Sequence, residues 1–320
     1  MRQKSIPGTD LSCSMLSLGS VFFGSTISEE DSFRLMDMYV ERGGNMVDTA
    51  QVYANWLLVA TSASEKTIGR WMKARKNRHR LVVTTKGAHP DPATMHISRM
   101  SPRELAADLD GSLMRLGVDC IDLYWLHRDD PNIAAGEILE TLNGFVKAGK
   151  IRYFGCSNWT IARIDEAQRY AKEKGIQGFA ANQMMWSLAY VERASLSDPT
   201  LVPMDADMKN YHAETGLAAI PYTSQAEGLF TKWESGLYTF DDSRIKPYFR
   251  SAENVRRFYR ARELAAELSL TVSQVVLAYL VSQPFTTIPI IGCRTPEMLI
   301  DSLAAADVVL TPEQLAFLES

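Results

Sequence analysis

Residues 47–53 read Val47-Asp48-Thr49-Ala50-Gln51-Val52-Tyr53: an apolar run closes on a carboxylate, and a tyrosine follows five residues later. Two further runs end in the same manner. Leu81-Val82-Val83-Thr84-Thr85-Lys86 closes on a lysine, and Ile121-Asp122-Leu123-Tyr124-Trp125-Leu126-His127 on a histidine. Read as strands, these three place Asp48, Lys86 and His127 at successive C-terminal ends, with Tyr53 in the loop just beyond the first. The runs are nearly continuous in apolar residues rather than alternating, which predicts parallel strands covered on both faces.

Outward from these runs a rhythm repeats along the chain. A helical segment ends in glycine and an apolar run begins within a few residues: Gly44 before Met46, Gly117 before Ile121, Gly149 before Ile151, Gly175 before Phe179, Gly216 before Leu217. The stretches between carry helical spacing, as in Leu105, Leu109, Leu113 and Leu116, one stripe on a helix of 3.6 residues per turn. Ser101-Pro102-Arg103-Glu104 joins a capping serine, a proline at the first position and a glutamate at the third, a sound helix start. Eight strands are predicted, at 15–18, 46–48, 81–86, 121–126, 151–156, 179–183, 217–222 and 287–291. Strict alternation leaves a closed (β/α)8 barrel or a doubly wound sheet. No Gly-x-Gly-x-x-Gly follows the first strand, so the dinucleotide fingerprint of the open sheet is missing. The expectation is an α/β TIM barrel. Residues 5–14, with Pro7-Gly8-Thr9-Asp10 as turn, form an N-terminal hairpin. Two irregular stretches, 54–63 and 225–250, are read as long loops on the C-terminal face, where barrel active sites lie.

Composition narrows the field. At 46% hydrophobic and 22% charged residues the chain has ordinary globular content, and a formal charge of −4 supplies no basic surface for nucleic acid or anionic lipid. No run approaches the length of a membrane span, and no apolar segment follows Arg2 and Lys4 to make a signal peptide. Cys13, Cys120, Cys156 and Cys293 lie far apart with no Cys-x-x-Cys pair, which reads as reduced thiols and a cytoplasmic protein. No linker or composition shift divides the chain, so residues 1–320 are expected to form one domain. No metal-ligand cluster is present, and oligomeric state is not legible.

Taken singly, each strand-end residue has a plain reading: Asp48 before Thr49 as a turn, Lys86 as a solvated cation, His127 before Arg128-Asp129-Asp130 as loop. On consecutive barrel strands they converge on one mouth. A lysine beside a carboxylate and a tyrosine favours the phenolate, which predicts a Tyr53 pKa below its usual value of about 10. A tyrosine so tuned can give a proton to a developing alkoxide, and His127 can hydrogen-bond the same oxygen.

With Asp48-Thr49-Ala50 and Tyr53, Thr85-Lys86-Gly87, Asp122 to His127, Gly155-Cys156-Ser157-Asn158 and Asn182-Gln183 in this order and spacing, the chain resembles the aldo-keto reductases over essentially its full length. The resemblance implies a (β/α)8 barrel closed at its bottom by the hairpin, and reversible hydride transfer between a nicotinamide cofactor, NADP(H) more than NAD(H), and an aldehyde or ketone. It implies Tyr53 as general acid, Asp48 and Lys86 as its tuning pair, and His127 as the group that orients the carbonyl. Ser157, Asn158 and Gln183 match the positions that bind the nicotinamide carboxamide, and Tyr222 the ring that stacks on it. Ser224, Gln225 and Gly228 follow in the next loop. Gly292, Cys293 and Arg294 match the adenosine-phosphate segment, where Arg294 can pair a 2′-phosphate, and Met298 stands just beyond them at the adenine end.

The chain also departs from the family pattern. Thr223-Ser224-Gln225-Ala226 stands for the usual Ser-Pro-Leu-Gly, and Met298 and Ser302 stand for a glutamine and an asparagine. Trp56, Leu57 and Leu58 replace a short polar link after Tyr53 and are read as a substrate-pocket wall or as a surface packed on a neighbouring subunit. Alternatives remain a regulatory subunit resembling the potassium-channel β-subunits and, more remotely, a Schiff-base lyase using Lys86.

Overall fold

The computed structural model describes residues 1–57, 61–91 and 93–320, so Leu58 lies outside the described residues. The chain begins with an antiparallel hairpin, β1 (Gln3–Ser5) and β2 (Ser12–Ser14), whose turn passes through Gly8 at φ +74°. Strands and helices then alternate: β3 (Ser17–Gly19), α1 (Glu29–Glu41), β4 (Met46–Asp48), α2 (Ala63–Arg75), β5 (Val82–Gly87), α3 (Pro102–Leu116), β6 (Ile121–Leu126), α4 (Ala135–Lys147), β7 (Ile151–Ser157), α5 (Ile161–Lys174), β8 (Ala181–Gln183), α6 (Ala206–Thr215) and β9 (Ala218–Ala219). Three helices, α7 (Leu229–Glu234), α8 (Ala252–Leu268) and α9 (Val272–Val281), precede β10 (Ile290–Ile291). The chain finishes with α10 (Pro296–Ala304) and α11 (Pro312–Glu319).

The eight strands after the hairpin are all parallel, in the order β10-β3-β4-β5-β6-β7-β8-β9. The two ends of this curled sheet meet at Ala219, which bridges Thr287; its N–H donates to the Thr286 carbonyl and its carbonyl accepts from the Ile288 N–H, both at 2.9 Å. This is the (β/α)8 architecture expected from the sequence. β9 and β10 are shorter than the predicted 217–222 and 287–291 because Pro221 and Pro289 have no N–H for the ladder. Their carbonyls still serve it, accepting from Ile290 and Ser17 at 2.9 Å each.

Local chemistry sets the ends of the helices. α3 has the full capping box between Ser101 and Glu104 and stops at Gly117 in the left-handed region. α1 starts at Ser28, whose hydroxyl accepts from the Asp31 N–H, and turns Leu35, Met36 and Tyr39 inward. Phe33 packs half-buried at the edge of the same core, with the Arg75 guanidinium 5.7 Å from its ring centre. The Tyr39 hydroxyl reaches the Leu16 carbonyl (2.7 Å) and accepts from the Met46 N–H (3.2 Å), tying the starts of β3 and β4 together. Gly44 is required there, since a Cβ would meet the Tyr39 ring at 2.4 Å.

Met46, Val82, Leu123, Trp125, Ala181, Ala218, Ile220, Ile288 and Ile290 fill the barrel interior, and the hairpin adds Ile6, Leu11 and Cys13 to the same cluster. The hairpin is therefore the plug of the barrel floor. Residues 225–250 correct the sequence reading. They are not an irregular loop over the mouth but contain α7, and Phe230, Trp233, Ile245 and Phe249 are buried against Phe258 of α8 and Val276 of α9. Aromatics that read as loop residues there form a second core, because a cluster of that apolar area is far more stable packed than wet. Replacement of the fully buried Ile6 by alanine should lower unfolding stability by about 3 kcal/mol, by the lost transfer energy plus a cavity under the barrel. Urea unfolding reads this directly, and an unchanged midpoint would mean the hairpin does not plug the core.

Candidate active site

The parallel register brings the C-terminal ends of β4, β5 and β6 to one rim, with Asp48 opposite Thr84 and Lys86 opposite Trp125. Lys86 and Asp48 are both buried, at 1% exposure each, and form an ion pair between Nζ and Oδ2. The ammonium also donates to the Thr49 carbonyl (2.8 Å) and to the Tyr53 hydroxyl oxygen (2.9 Å). Three donors thus meet three acceptors. The other carboxylate oxygen of Asp48 accepts from Thr84 Oγ1 (2.7 Å) and Gln183 Nε2 (3.1 Å). The turn carrying Tyr53 is pinned to β5, with the Thr49 N–H on the Thr84 carbonyl (2.9 Å) and the Gln51 N–H on the Lys86 carbonyl (3.0 Å). Burial opposes the charge on Lys86, but Asp48, and after it Tyr53, outweigh burial and hold the ammonium above the ordinary lysine value.

For Tyr53 the balance is the reverse of the sequence expectation. Burial raises the phenol's pKa, and the opposing pull of Lys86 does not offset it, so the pKa lies above its ordinary value rather than below. The consequence is a phenol that stays protonated at neutral pH. Its oxygen accepts from Lys86, which leaves its own O–H available to another partner.

Four rings stand edge to face in a row at this rim. Trp56 lies 6.4 Å from Tyr53, Tyr53 6.2 Å from His127, and His127 4.7 Å from His89, centre to centre. Trp56 is half exposed, while Leu57, also expected to wall a pocket, continues the turn with its N–H on the Ala54 carbonyl (3.0 Å). The His127 backbone is held by its N–H on the Gly87 carbonyl (2.9 Å). Nδ1 of His127 is sealed in with no hydrogen-bond partner among the described residues. Burial first, then His89 and Arg128, push its pKa well below that of a free imidazole. A neutral ring with a bare, sealed Nδ1 can keep its proton on Nε2, the nitrogen that is not sealed.

The residues matched to the nicotinamide end are brought together but already bonded. Asn158 adopts φ +62°, and its amide is fully used: Nδ2 donates to the His127 carbonyl (3.2 Å) and Ser157 Oγ (3.1 Å), while Oδ1 accepts from the Tyr222 hydroxyl (2.6 Å) and the Val202 N–H (3.2 Å). Farther out, Ser224 is buried with its hydroxyl on the Ile290 carbonyl (2.5 Å), and Cys293 is buried with its thiol toward Ser302 (3.7 Å). Their side chains are spent inside the protein, so only their backbones can face a ligand. Gln225 bridges the two last loops, donating to Ser302 Oγ (3.0 Å) and accepting from the Gly292 N–H (3.3 Å). Gly228 takes φ +75° at the start of α7. Arg294 is exposed, lies 4.5 Å above the Phe22 ring, and makes no ion pair among the described residues. Met298 is half exposed, its N–H capped by Thr295.

Three features escaped sequence reasoning. His89 joins the ring row from the loop after β5. Arg128 is buried next to His127 and binds Thr200 (2.9 Å) and Asp198 (3.0 Å), pinning the chain around 198–200 beside the site. Glu65 of α2 is fully buried, bonded to Thr85 Oγ1 and Arg115, both at 2.5 Å, behind Lys86. Each arises from contacts between segments distant in sequence. The one local signal was a histidine three residues after a strand-end lysine.

The aldo/keto reductase family profile matches residues 15–320. An aryl-alcohol dehydrogenase [NADP(+)] of Phanerodontia chrysosporium is 28% identical over 98% of this chain and 83% of its own. An uncharacterized oxidoreductase of Bacillus subtilis is 30% identical over 97% of this chain and 92% of its own. A norsolorinic acid reductase B of Dothistroma septosporum is 26% identical over 98% and 79%. Among solved structures, a thermostable aldo-keto reductase crystallised with the inhibitor epalrestat superposes with a TM-score of 0.74 at 22% identity, covering 100% of this chain and 99% of that one. With its barrel and rim, the chain belongs to the aldo/keto reductase family of oxidoreductases that act on carbonyl groups.

Proposed function

We propose that the protein reduces an aldehyde or ketone with NADPH, reversibly, using Tyr53 as proton donor. The observation that carries this reading is the hydrogen bond from Lys86 to the Tyr53 oxygen, which commits the oxygen as acceptor and leaves the phenolic proton for the substrate. The carbonyl oxygen accepts from the Tyr53 O–H and from His127 Nε2–H. As the carbonyl carbon is reduced, the oxygen gains charge and takes the Tyr53 proton. The phenolate left behind is stabilised by the Lys86 ammonium, and Asp48 keeps the lysine charged and in place. The bound cofactor supplies the hydride.

The residues fit such a cofactor in kind. Ser157, Asn158 and Gln183 provide amide and hydroxyl groups at the ends of β7 and β8, and an exposed Arg294, without an ion pair among the described residues, stands near the start of α10. The saturated Asn158 amide means that a carboxamide binding there displaces one present partner, and the Tyr222 hydroxyl, on a half-buried ring, is the one free to leave. The guanidinium favours NADPH, since a 2′-phosphate can take two of its N–H bonds; the relative named for NADP(+) use agrees in direction. The four cysteines are unpaired, in keeping with the proposed cytoplasmic location.

Tyr53→Phe should lower kcat for carbonyl reduction by at least about 100-fold while NADPH affinity by fluorescence quenching stays within about twofold; full turnover would remove Tyr53 from the proton-donor role. Because the raised phenol must be protonated to act, reduction kcat/KM should hold level from pH 7 to near 10 and fall only above it. A falling limb centred near pH 7 would point to another donor. Arg294→Ala should cut the NADPH-over-NADH ratio of kcat/KM by roughly 10- to 100-fold, the worth of charge-assisted bonds to phosphate. An unchanged ratio would assign cofactor choice elsewhere.

A further inference from the structure

Arg128 is a buried cation to which the reaction described above gives no part. Three bonds hold its guanidinium: Nη1 donates to the His127 carbonyl (2.8 Å), Nε to Thr200 Oγ1 (2.9 Å) and Nη2 to Asp198 Oδ2 (3.0 Å). The His127 carbonyl also accepts from Asn158 Nδ2 (3.2 Å), and the Arg128 carbonyl accepts from Trp159 Nε1 (3.2 Å). The arginine thus grips the backbone of the residue whose imidazole stands beside Tyr53, ring centres 6.2 Å apart.

The ion pair with Asp198 does not cancel this charge. The Arg128 side chain is 9% exposed and that of Asp198 27%, so water screens the anion more than the cation. Oδ1 of Asp198 is further occupied by the N–H and hydroxyl of Thr200, at 2.9 and 2.5 Å. Other charges around the site are matched: Lys86 by Asp48, and Asp129 by Arg163. Burial keeps the imidazoles of His127 and His89 neutral. Among the described residues a positive field remains, and it is felt in the site. Arg128 favours the phenolate forms of Tyr53 and Tyr222 and opposes a proton on His127.

During carbonyl reduction this field meets a charge of opposite sign. As the carbonyl carbon takes the hydride that bound NADPH supplies, the π electrons move to the oxygen. The Tyr53 proton joins that oxygen, and the O–H electron pair stays on Tyr53 as phenolate. On the reductase reading above, on which this rests, we propose that Arg128 is a positioning residue for this step: it fixes His127 through the backbone carbonyl and, as a second fixed cation after Lys86, stabilises the negative charge passing from the substrate oxygen to Tyr53. Asp198 holds the guanidinium in place and, as an anion, weakens its field.

The two members of one ion pair therefore act in opposite directions on the rate. The test follows reduction of a panel of aliphatic and aromatic aldehydes at pH 7 with NADPH and with NADPH deuterated at the transferred position, which reads the hydride step at saturation. Arg128→Met should slow that step by roughly 10- to 100-fold, the worth of a hydrogen-bonded charge, and Arg128→Lys, which keeps the charge, should recover part of the loss. Asp198→Asn breaks the same ion pair with a side chain of the same shape. It should speed the step by roughly 2- to 5-fold, the effect of one charge several ångströms away in a high effective dielectric. Equal losses in Arg128→Met and Asp198→Asn would make the pair a loop staple and overturn this inference while leaving the reductase reading intact. A slowed Asp198→Asn overturns it alone, which covers an Arg128→Met chain that does not fold. No turnover of any aldehyde by the wild type overturns both.

Discussion

A lysine ammonium with 1% exposure is the constraint around which this barrel is arranged. Taking such a charge out of water costs several kcal/mol unless a counter-ion and full hydrogen bonding replace the solvent. Lys86 has both, in Asp48, the Thr49 carbonyl and the Tyr53 hydroxyl. Each requirement reaches into the fold. Asp48 has to sit at the end of β4 with its second oxygen engaged by Thr84 and Gln183, from β5 and β8. The chain after Asp48 has to turn at once so that a backbone carbonyl and a tyrosine face back. The bonds from 49 and 51 onto β5 make that turn.

Because the ion pair is complete, the groups around it hold fixed and mostly uncharged states. The phenol is protonated and His127 and His89 are neutral, all three primarily through burial. Arg128 adds a positive potential on the same side, anchored through Asp198 to a segment more than sixty residues away in sequence. The result is a rim of donors already oriented before any substrate arrives, which is the condition under which electrostatic stabilisation costs no reorganisation at the moment of reaction.

The barrel and the rim were legible in the sequence for a simple reason: strand-end residues are local. An apolar run followed by Asp, Lys or His says where the side chain emerges, and eight such runs with glycine-terminated helices leave few topologies. Burial was harder to read. The direction of the Tyr53 shift was missed because desolvation is set by everything packed around the ring, which the local pattern of charges does not report. Trp233 and Phe249 looked like mouth residues because aromatics in a loop-like stretch give no hint that α8 and α9 lie beneath them. Cys293 matched a family pattern and Ser224 stood in a loop assigned to the cofactor, yet both side chains turn inward, since a motif fixes the backbone path and not the rotamer. His89 carries no signal of its own in the sequence, and only the Ala88 bend, invisible there, brings its ring beside His127.

The central claim is that Asp48 and Lys86 act on the phenol as one unit. A double-mutant cycle with Asp48→Asn and Lys86→Met, read in kcat/KM for carbonyl reduction, tests it most directly. The account predicts strong non-additivity, with the double variant no slower than the worse single one. Additive losses would show two independent contributions and contradict it.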